Sequence, residues 1–396
     1  MIIDRRAVTF GFLNVGHFLD HLLMLLFPTV VLALGAEFAE SYGDLLWLSV
    51  LGFVAFGGGA LPAGWLADRW GRRNMLVVYF VGSGAAAIAT GLATGPLGLG
   101  AGLFAIGLFA AIYHPVGIAM VGETTEKIGR AMGINGVFGN LGIAAAALVA
   151  GALIDLASWR WAFFVPGAVA IALGLAYAAW TRPTEGKGIK KALPSGQPAG
   201  PADMRRLWIV IVVATACGGI VFNGVTIALP KLFDERLAGI VASPAQIGGL
   251  VSLVVTAAAF AQILVGFLID RYPIRLIYIG LSLLTVPAMA AAIHGTGLPM
   301  LATAVVLMML IFGQIPILDT VVARHVPTAW RSRAYAVKYV VSLGVGATAV
   351  PLVAELHKWE GSLVGVFAVM SALAMAVAAA AFWLPAFRRL PVPAGS

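Results

Sequence analysis

Twelve apolar runs of about twenty residues, each closed by a short polar stretch, dominate this sequence. They all but dictate a bundle of membrane-crossing helices, because roughly 20 apolar residues rising about 1.5 Å each cross the hydrocarbon of a bilayer. In lipid every backbone N–H and C=O must find its partner within the segment, so runs of this length read as helices rather than as strands of an open sheet. The expected spans are 8–34, 45–67, 74–94, 98–122, 132–156 and 160–180 in one half of the chain. In the other half they are 207–232, 245–269, 275–294, 298–323, 334–355 and 362–384. Composition excludes a soluble globule: 61% of the 396 residues are hydrophobic and 11% are charged, against about a quarter charged in soluble domains.

The polar punctuation carries orientation. With twelve spans and both termini on one side, twenty of the 25 Lys and Arg fall on that side. Arg160, Lys231, Arg236 and Lys358 fall on the other, and Lys338 lies within a span. Basic residues collect in cytoplasmic loops, so the expectation is a multi-pass protein of a bacterial-type inner (plasma) membrane with both termini cytoplasmic. The same dispersal over short loops explains the formal charge of +8 without nucleic acid as a partner. The basic start, Met1 to Arg6, leads into an apolar run that continues past Pro28 with no small-residue cleavage pattern, which reads as an uncleaved first helix. Between the halves, 182–206 is rich in Gly, Pro, Lys and Arg and is expected to be a cytoplasmic linker. The predicted organisation is therefore 1–181, linker 182–206, and 207–396 with a short cytoplasmic tail. The single Cys217 sits in an apolar run and reads as a packed thiol.

The halves repeat each other. Gly64-Trp65-Leu66-Ala67-Asp68-Arg69 returns as Gly266-Phe267-Leu268-Ile269-Asp270-Arg271, 266 − 64 = 202 residues later. At offsets of 201 to 203, Pro28 matches Pro230, Asp20 matches Asn223, Tyr113-His114-Pro115 matches Gln314-Ile315-Pro316, and Arg130-Ala131 matches Arg333-Ala334. An ordered series at nearly one offset marks a duplicated six-helix unit, and parallel repeats of that size build one class of secondary transporter.

Gly64-x-Leu66-Ala67-Asp68-Arg69-x-Gly71-Arg72-Arg73 closely resembles the loop signature between helices 2 and 3 of the major facilitator superfamily. That resemblance implies an all-α membrane fold of twelve helices in two pseudo-symmetric six-helix bundles. It also implies solute movement by alternating access, and an ion gradient rather than a cofactor as the energy source. Conformational gating falls to Gly64, Asp68, Arg69, Gly71 and Arg72, with Asp270 and Arg271 in the second copy. Asp68 is expected to pair with arginines at helix ends and hold an outward-open arrangement. Within the superfamily, Gly16-His17-Phe18-Leu19-Asp20-His21, Tyr113-His114-Pro115 and Gly139-Asn140-Leu141-Gly142 resemble fosmidomycin-resistance-type drug exporters. The chain departs from that pattern with Val116 after the His-Pro pair, where an acidic residue is usual, and with Asp20 where Asn is common. Gly136, Gly139 and Gly142 also match the helix-5 signature of drug antiporters, without its Gly-Pro pair.

Ionisable groups inside a bilayer are costly unless paired or hydrated, so each is a functional candidate. Asn14, His17, Asp20, His21 and Met24 recur at spacings of three and four and so lie along one side of the first helix. Asp20 is near the middle of its span, and adjacent imidazoles suit it to take and release a proton. His114 precedes Pro115, which frees a carbonyl one turn back and bends the helix. His17, Asp20, His21, Tyr113 and His114 are expected to converge. Gln262, Gln314, Asp319 and Lys338 are the intramembrane polar groups of the second half. Asp319 and Lys338 are expected at similar depth, roughly 10 Å from the midplane at 1.5 Å per residue, as an ion pair or with Lys338 on an anionic head group. Ser158-Trp159-Arg160-Trp161 reads as an interfacial anchor.

Three functions compete on these residues, and none is enzymatic, since no nucleophile stands at motif spacing from a base. The first is proton-coupled efflux of a small molecule, with His17, Asp20, His21, Tyr113, His114, Gln314, Asp319 and Lys338 serving substrate and proton. The second is transport of a transition-metal ion by His17, Asp20, His21, Met24 and His114; a resident metal site is not expected. The third is proton-coupled uptake of an organic anion. The expected partners are the small-molecule substrate, protons and the lipid bilayer, and the expected state is a monomer.

Overall fold

In the computed structural model, the described residues are 5–124, 128–181, 201–326, 338, 341–342 and 344–386. The first half contains α1 (Arg5–Leu25), α2 (Phe27–Phe38), α3 (Tyr42–Trp47), α4 (Val50–Trp70), α5 (Arg72–Gly91), α6 (Pro96–Ala110), α7 (Tyr113–Thr124), α8 (Ile128–Leu156) and α9 (Trp161–Trp180). The second contains α10 (Pro201–Arg236), α11 (Pro244–Arg271), α12 (Ile274–His294), α13 (Gly297–His325), α14 (Ala349–Glu360) and α15 (Val364–Trp383). Among the described residues, eleven helical stretches are long and apolar enough to cross a bilayer. The eleventh expected span, 334–355, lies partly outside the described residues, and α14 covers its far end. Most of 182–206 also lies outside them; α10 begins at Pro201, six residues before the expected start at 207.

Prolines divide two of the first-half spans. Pro28 cannot donate to Met24, and the helix breaks at Leu26 between α1 and α2. Pro115 likewise leaves the carbonyl of Ala111 without its helical donor, and the fourth span breaks at Ala111–Ile112 between α6 and α7. The matched prolines of the second half, Pro230 and Pro316, sit inside unbroken helices α10 and α13. The duplicated sequence thus folds with a difference, and both breaks flank the polar segment of α1.

Within the first half α1 packs along α8 and α5 along α9; within the second, α12 and α10 pack on α15 and α11 packs on α13. The halves meet where α8 runs beside α11 and α3 beside α14. Small residues set the first of these contacts. A Cβ on Gly151 would stand 2.2 Å from the Pro244 carbonyl oxygen, and one on Gly248 would stand 2.1 Å from that of Ala147. Nearer the other end of the same helices, Gly133, Gly136 and Gly266 have nothing within 4 Å of that position. The halves are therefore closed together at the end carrying the α2–α3 turn.

Side chains bolt that end. Lys358 of α14 donates to Asp44 of α3, and the Trp47 indole donates to Glu355. Asp155 of α8 accepts from the backbone N–H of Ala245 at 3.2 Å, capping the start of α11 across the halves. Lys231 lies 5.6 Å from the centre of the Tyr42 ring. The expected interfacial Trp159 turns inward instead: it is 3% exposed and its indole N–H donates to Glu37 at 2.6 Å, while Trp161 stays exposed. A glutamate at the end of α2 gave the indole a better partner than the interface.

The opposite end carries the α4–α5 turn. Gly71 adopts φ +95°, which L side chains rarely take, and so lets α4 stop at Trp70 and α5 start at Arg72. Arg73 ties this turn to the end of α9 through the Ala178 carbonyl at 2.6 Å and the Thr181 carbonyl at 3.0 Å. Arg69 lies 3.9 Å from the centre of the Trp65 ring, and its repeat mate Arg271 lies 3.8 Å from Phe267. The pairing expected of Asp68 is not made in this arrangement: its side chain is exposed, with no ion pair among the described residues. The side chain of Asp270 lies outside the described ones.

Candidate functional site

Spacing on α1 sets up the site. His17, Asp20 and His21 fall on the side of α1 that meets α7 and α8, where Tyr113 and His114 open α7 immediately after the Ala111–Ile112 break. The break re-aims these two residues at α1. His17 stacks on Tyr113 with ring centres 5.0 Å apart, and His114 stands edge-on to both His17 and His21 at 5.4 Å. The five first-half residues expected to converge do meet.

Hydrogen bonds fix their arrangement. His17 Nδ1 is 2.8 Å from the backbone carbonyl of Asn135. A carbonyl only accepts, so Nδ1 carries the proton and Nε2 of the neutral ring holds a lone pair. His21 Nε2 lies 3.2 Å from that Nε2 and donates to it. Tyr113 donates to the Leu13 carbonyl at 2.6 Å and accepts from Asn135 Nδ2 at 3.0 Å. The same amide donates to Asn14 Oδ1 at 3.0 Å. Tyr79 of α5 donates to the Gly16 carbonyl at 2.7 Å. Gly139 leaves room for His17, since a Cβ there would stand 2.7 Å from the ring.

Asp20 is the exception in this satisfied network. It is fully buried, and no donor among the described residues hydrogen-bonds either carboxyl oxygen. His114 Nδ1 stands 3.3 Å from its Oδ2. That is ion-pair distance, but the alignment is not that of a hydrogen bond, and Nδ1 has no other partner among the described residues. A carboxylate so placed is sustained by a proton or by a neighbouring positive charge. The His114 side chain keeps 19% of its surface accessible, against 0% for Asp20.

Nitrogens of His17, His21 and His114 lie within 4.8 Å of one another. The 3.2 Å between the Nε2 atoms of His17 and His21 is close to the roughly 3.3 Å that separates two nitrogens held about 2.0–2.1 Å from one tetrahedral ion. His17 already donates its other nitrogen to a carbonyl, the usual outer partner of a metal-bound imidazole. Met24 is packed in the apolar core.

The second-half candidates gather elsewhere. Lys338 donates to Asp319, and Gln314 donates to Thr285 Oγ1 at 3.0 Å while accepting from Ser282 at 3.3 Å. Between the halves, Asn140 Nδ2 donates to Gln262 Oε1 at 3.2 Å. Sequence reasoning missed Asn135 and Tyr79. Asn135, an amide inside an apolar run and 2% exposed, carried a readable signal; Tyr79 did not, since a tyrosine in a span reads equally as packing.

Residues 13–337 match the model of the Major Facilitator Superfamily. The chain is 33% identical over 129 residues to the puromycin resistance protein pur8 of Streptomyces alboniger, which covers 32% of this chain and 25% of that protein. The match thus spans a quarter of the relative's length. In fold it is similar to a bacterial homologue of the human lysosomal transporter Spinster in an inward-facing, unoccupied conformation, with TM-score 0.73, 16% identity and coverage of 97% and 95%. It is also similar to a D-xylose-proton symporter, with TM-score 0.76, 14% identity and coverage of 96% and 97%.

Proposed function

Because the chain belongs to the major facilitator superfamily, whose members are cofactor-free carriers driven by ion gradients rather than enzymes, we propose that it exports a small organic molecule across a bacterial-type inner membrane in exchange for protons. Alternating access is rocking of the two halves about a central site. The charge count of the loops supports cytoplasmic termini. The conformer closed at the α2–α3 end is then the inward-facing one, and Asp68, exposed and without an ion pair among the described residues, fits a loop that pairs only in the outward-open state. The fosmidomycin-resistance-type motifs and the resemblance to a puromycin resistance protein support efflux of a drug or metabolite.

One observation carries the coupling: a fully buried carboxyl without a hydrogen bond among the described residues, 3.3 Å from an imidazole that is only partly buried. Asp20 takes a proton through His114, and His17, His21 and Tyr113 hold the two groups in register. Gln314, Asp319 and Lys338 serve the substrate on the opposite half, and 1–181 and 207–396 act as the two rocking units, joined by 182–206. A deletion strain screened against toxic compounds finds the substrate. In proteoliposomes with an imposed pH gradient, that substrate dissipates the gradient in wild type; retained coupled transport in Asp20→Asn overturns the assignment.

A second reading is favoured by the convergence of three imidazoles: the cargo is a transition-metal ion. Elemental analysis of purified wild type and His17→Ala separates the two. Metal bound by the first and lost from the second supports the metal reading, and metal in neither removes it.

A further inference from the structure

The second half holds a cavity of about 280 Å³, framed by α10, α12, α13 and α15. The corresponding interior of the first half is filled by aromatic rings. Phe12 and Tyr177 meet at 5.4 Å, Phe80 and Tyr177 at 6.1 Å, and Tyr79 touches both Phe80 and Tyr113 at 4.9 and 5.5 Å. At the repeat offset of 202 residues Phe12 becomes Ala214 and Phe80 becomes Ser282, while Tyr113 becomes Gln314 at 201. Helices α9 and α15 are both 20 residues long and end in tryptophan, and on that register Tyr177 becomes Ala380. Four rings have thus been exchanged for two alanines, a hydroxyl and an amide. Ala214, Ser282 and Gln314 line the space this opens.

The lining mixes apolar and polar groups. Phe222, Ile311, Leu318 and Val377 supply apolar surface. Among them stand Ser282 and Gln314, joined at 3.3 Å, and Thr215; on α13, Ile311, Gln314 and Leu318 fall at i, i+3 and i+7 along one stripe. The Thr215 hydroxyl has no hydrogen-bond partner among the described residues although the residue is only 5% exposed, and a buried hydroxyl left so awaits one. The charged lining residues among those described are Asp319 and Lys338, which are bonded to each other. A charged ligand has to compete with that pair, whereas an uncharged one leaves it intact. The volume is at the small end of ligand sites, about 300 Å³ and upward.

We propose that this cavity is the substrate pocket of the second half and takes an uncharged amphipathic molecule of single-ring size. Its polar group bonds Thr215 and the Ser282–Gln314 edge, and its ring packs on Phe222, Ile311 and Leu318. The assignment rests on the carrier reading only in naming the bound molecule as cargo.

The test is calorimetric titration of the full chain in lipid nanodiscs, with empty nanodiscs subtracted and no gradient present. The probes are benzamide, benzoate and benzylamine, which share a ring and differ in charge. Benzamide is expected to bind at least tenfold more tightly than either charged probe. Ser282→Phe, which restores the ring of the first half, is expected to weaken benzamide at least tenfold. Thr215→Val keeps the volume, removes the free hydroxyl and is expected to weaken it severalfold, which preserves the test if the phenylalanine variant misfolds. Equal benzamide affinity in wild type and the variants, preference for a charged probe, or no binding above empty nanodiscs overturns the proposal. Because no proton moves in this experiment, any of these results leaves the role of Asp20 standing, and loss of coupling in Asp20→Asn with benzamide binding intact fails the coupling alone.

Discussion

The crossing of α8 and α11 makes a quantitative demand on the closed state. Atoms in ordinary contact stand at 3.4–4 Å, but a Cβ at position 248 would lie 2.1 Å from the Ala147 carbonyl oxygen and one at 151 would lie 2.2 Å from that of Pro244. Gly248→Ala therefore forces the helices apart by about 1.3 Å, the shortfall from ordinary contact, and backbone atoms cannot step aside as a side-chain tip can. Overpacking of this kind costs typically 1–3 kcal/mol. Here the cost falls only on the arrangement closed at the α2–α3 end, since opening that end relieves it. A bias of 1–3 kcal/mol between two states is about 5–150-fold in their ratio. The chain has a single cysteine, Cys217, so Cys217→Ser gives a background for nitroxide pairs that span the two halves at either end. Electron–electron distance measurements in nanodiscs should show Gly248→Ala, and more so Gly151→Ala/Gly248→Ala, moving population toward longer distances at the α2–α3 end and shorter ones at the α4–α5 end. Unchanged distributions in a folded double variant would refute the claim that this crossing holds the closed state.

Two further substitutions probe the scaffold. Gly71→Ala places a side chain at φ +95° and should lower stability by about 1–3 kcal/mol, read as a drop in melting temperature, with no effect on probe binding in the second half. Tyr79→Phe removes the side-chain donor from the Gly16 carbonyl, which keeps its helical bond from the Asp20 N–H, a loss of about 0.5–1.5 kcal/mol. It should loosen α1 against α5, measured as faster amide exchange around Gly16.

Much of the fold was legible because the bilayer leaves so few options. Apolar length gave the spans, while loop charge and the offset near 202 residues gave the expected sidedness and the expected two halves. Geometry that depends on partners was not legible. Pro28 and Pro230 are matched, as are Pro115 and Pro316, yet only the first-half member of each pair breaks a helix; proline fixes which carbonyl is freed, and tertiary packing decides whether the helix bends there. The convergence of His17, Asp20, His21, Tyr113 and His114 followed from helical spacing plus the resemblance. Asn135, which bonds His17, Tyr113 and Asn14, was readable as an amide inside an apolar run, but its partners were not, since only the approach of α8 to α1 supplies them. Asp44, Lys358, Trp47 and Glu355 each read as ordinary residues near helix ends, and only the approach of α3 to α14 makes them a clasp. The cavity was hardest to see, for it consists of rings the second half lacks.

The central claim is that protonation of Asp20 is tied to the exchange between the two arrangements. It is tested most directly by the same nitroxide distances recorded as a function of pH, with and without Asp20→Asn, which needs no knowledge of the substrate. The wild-type population is expected to shift between the two closed ends as pH changes, and the Asp20→Asn population is not. An Asp20→Asn protein that follows the wild-type pH curve would contradict it.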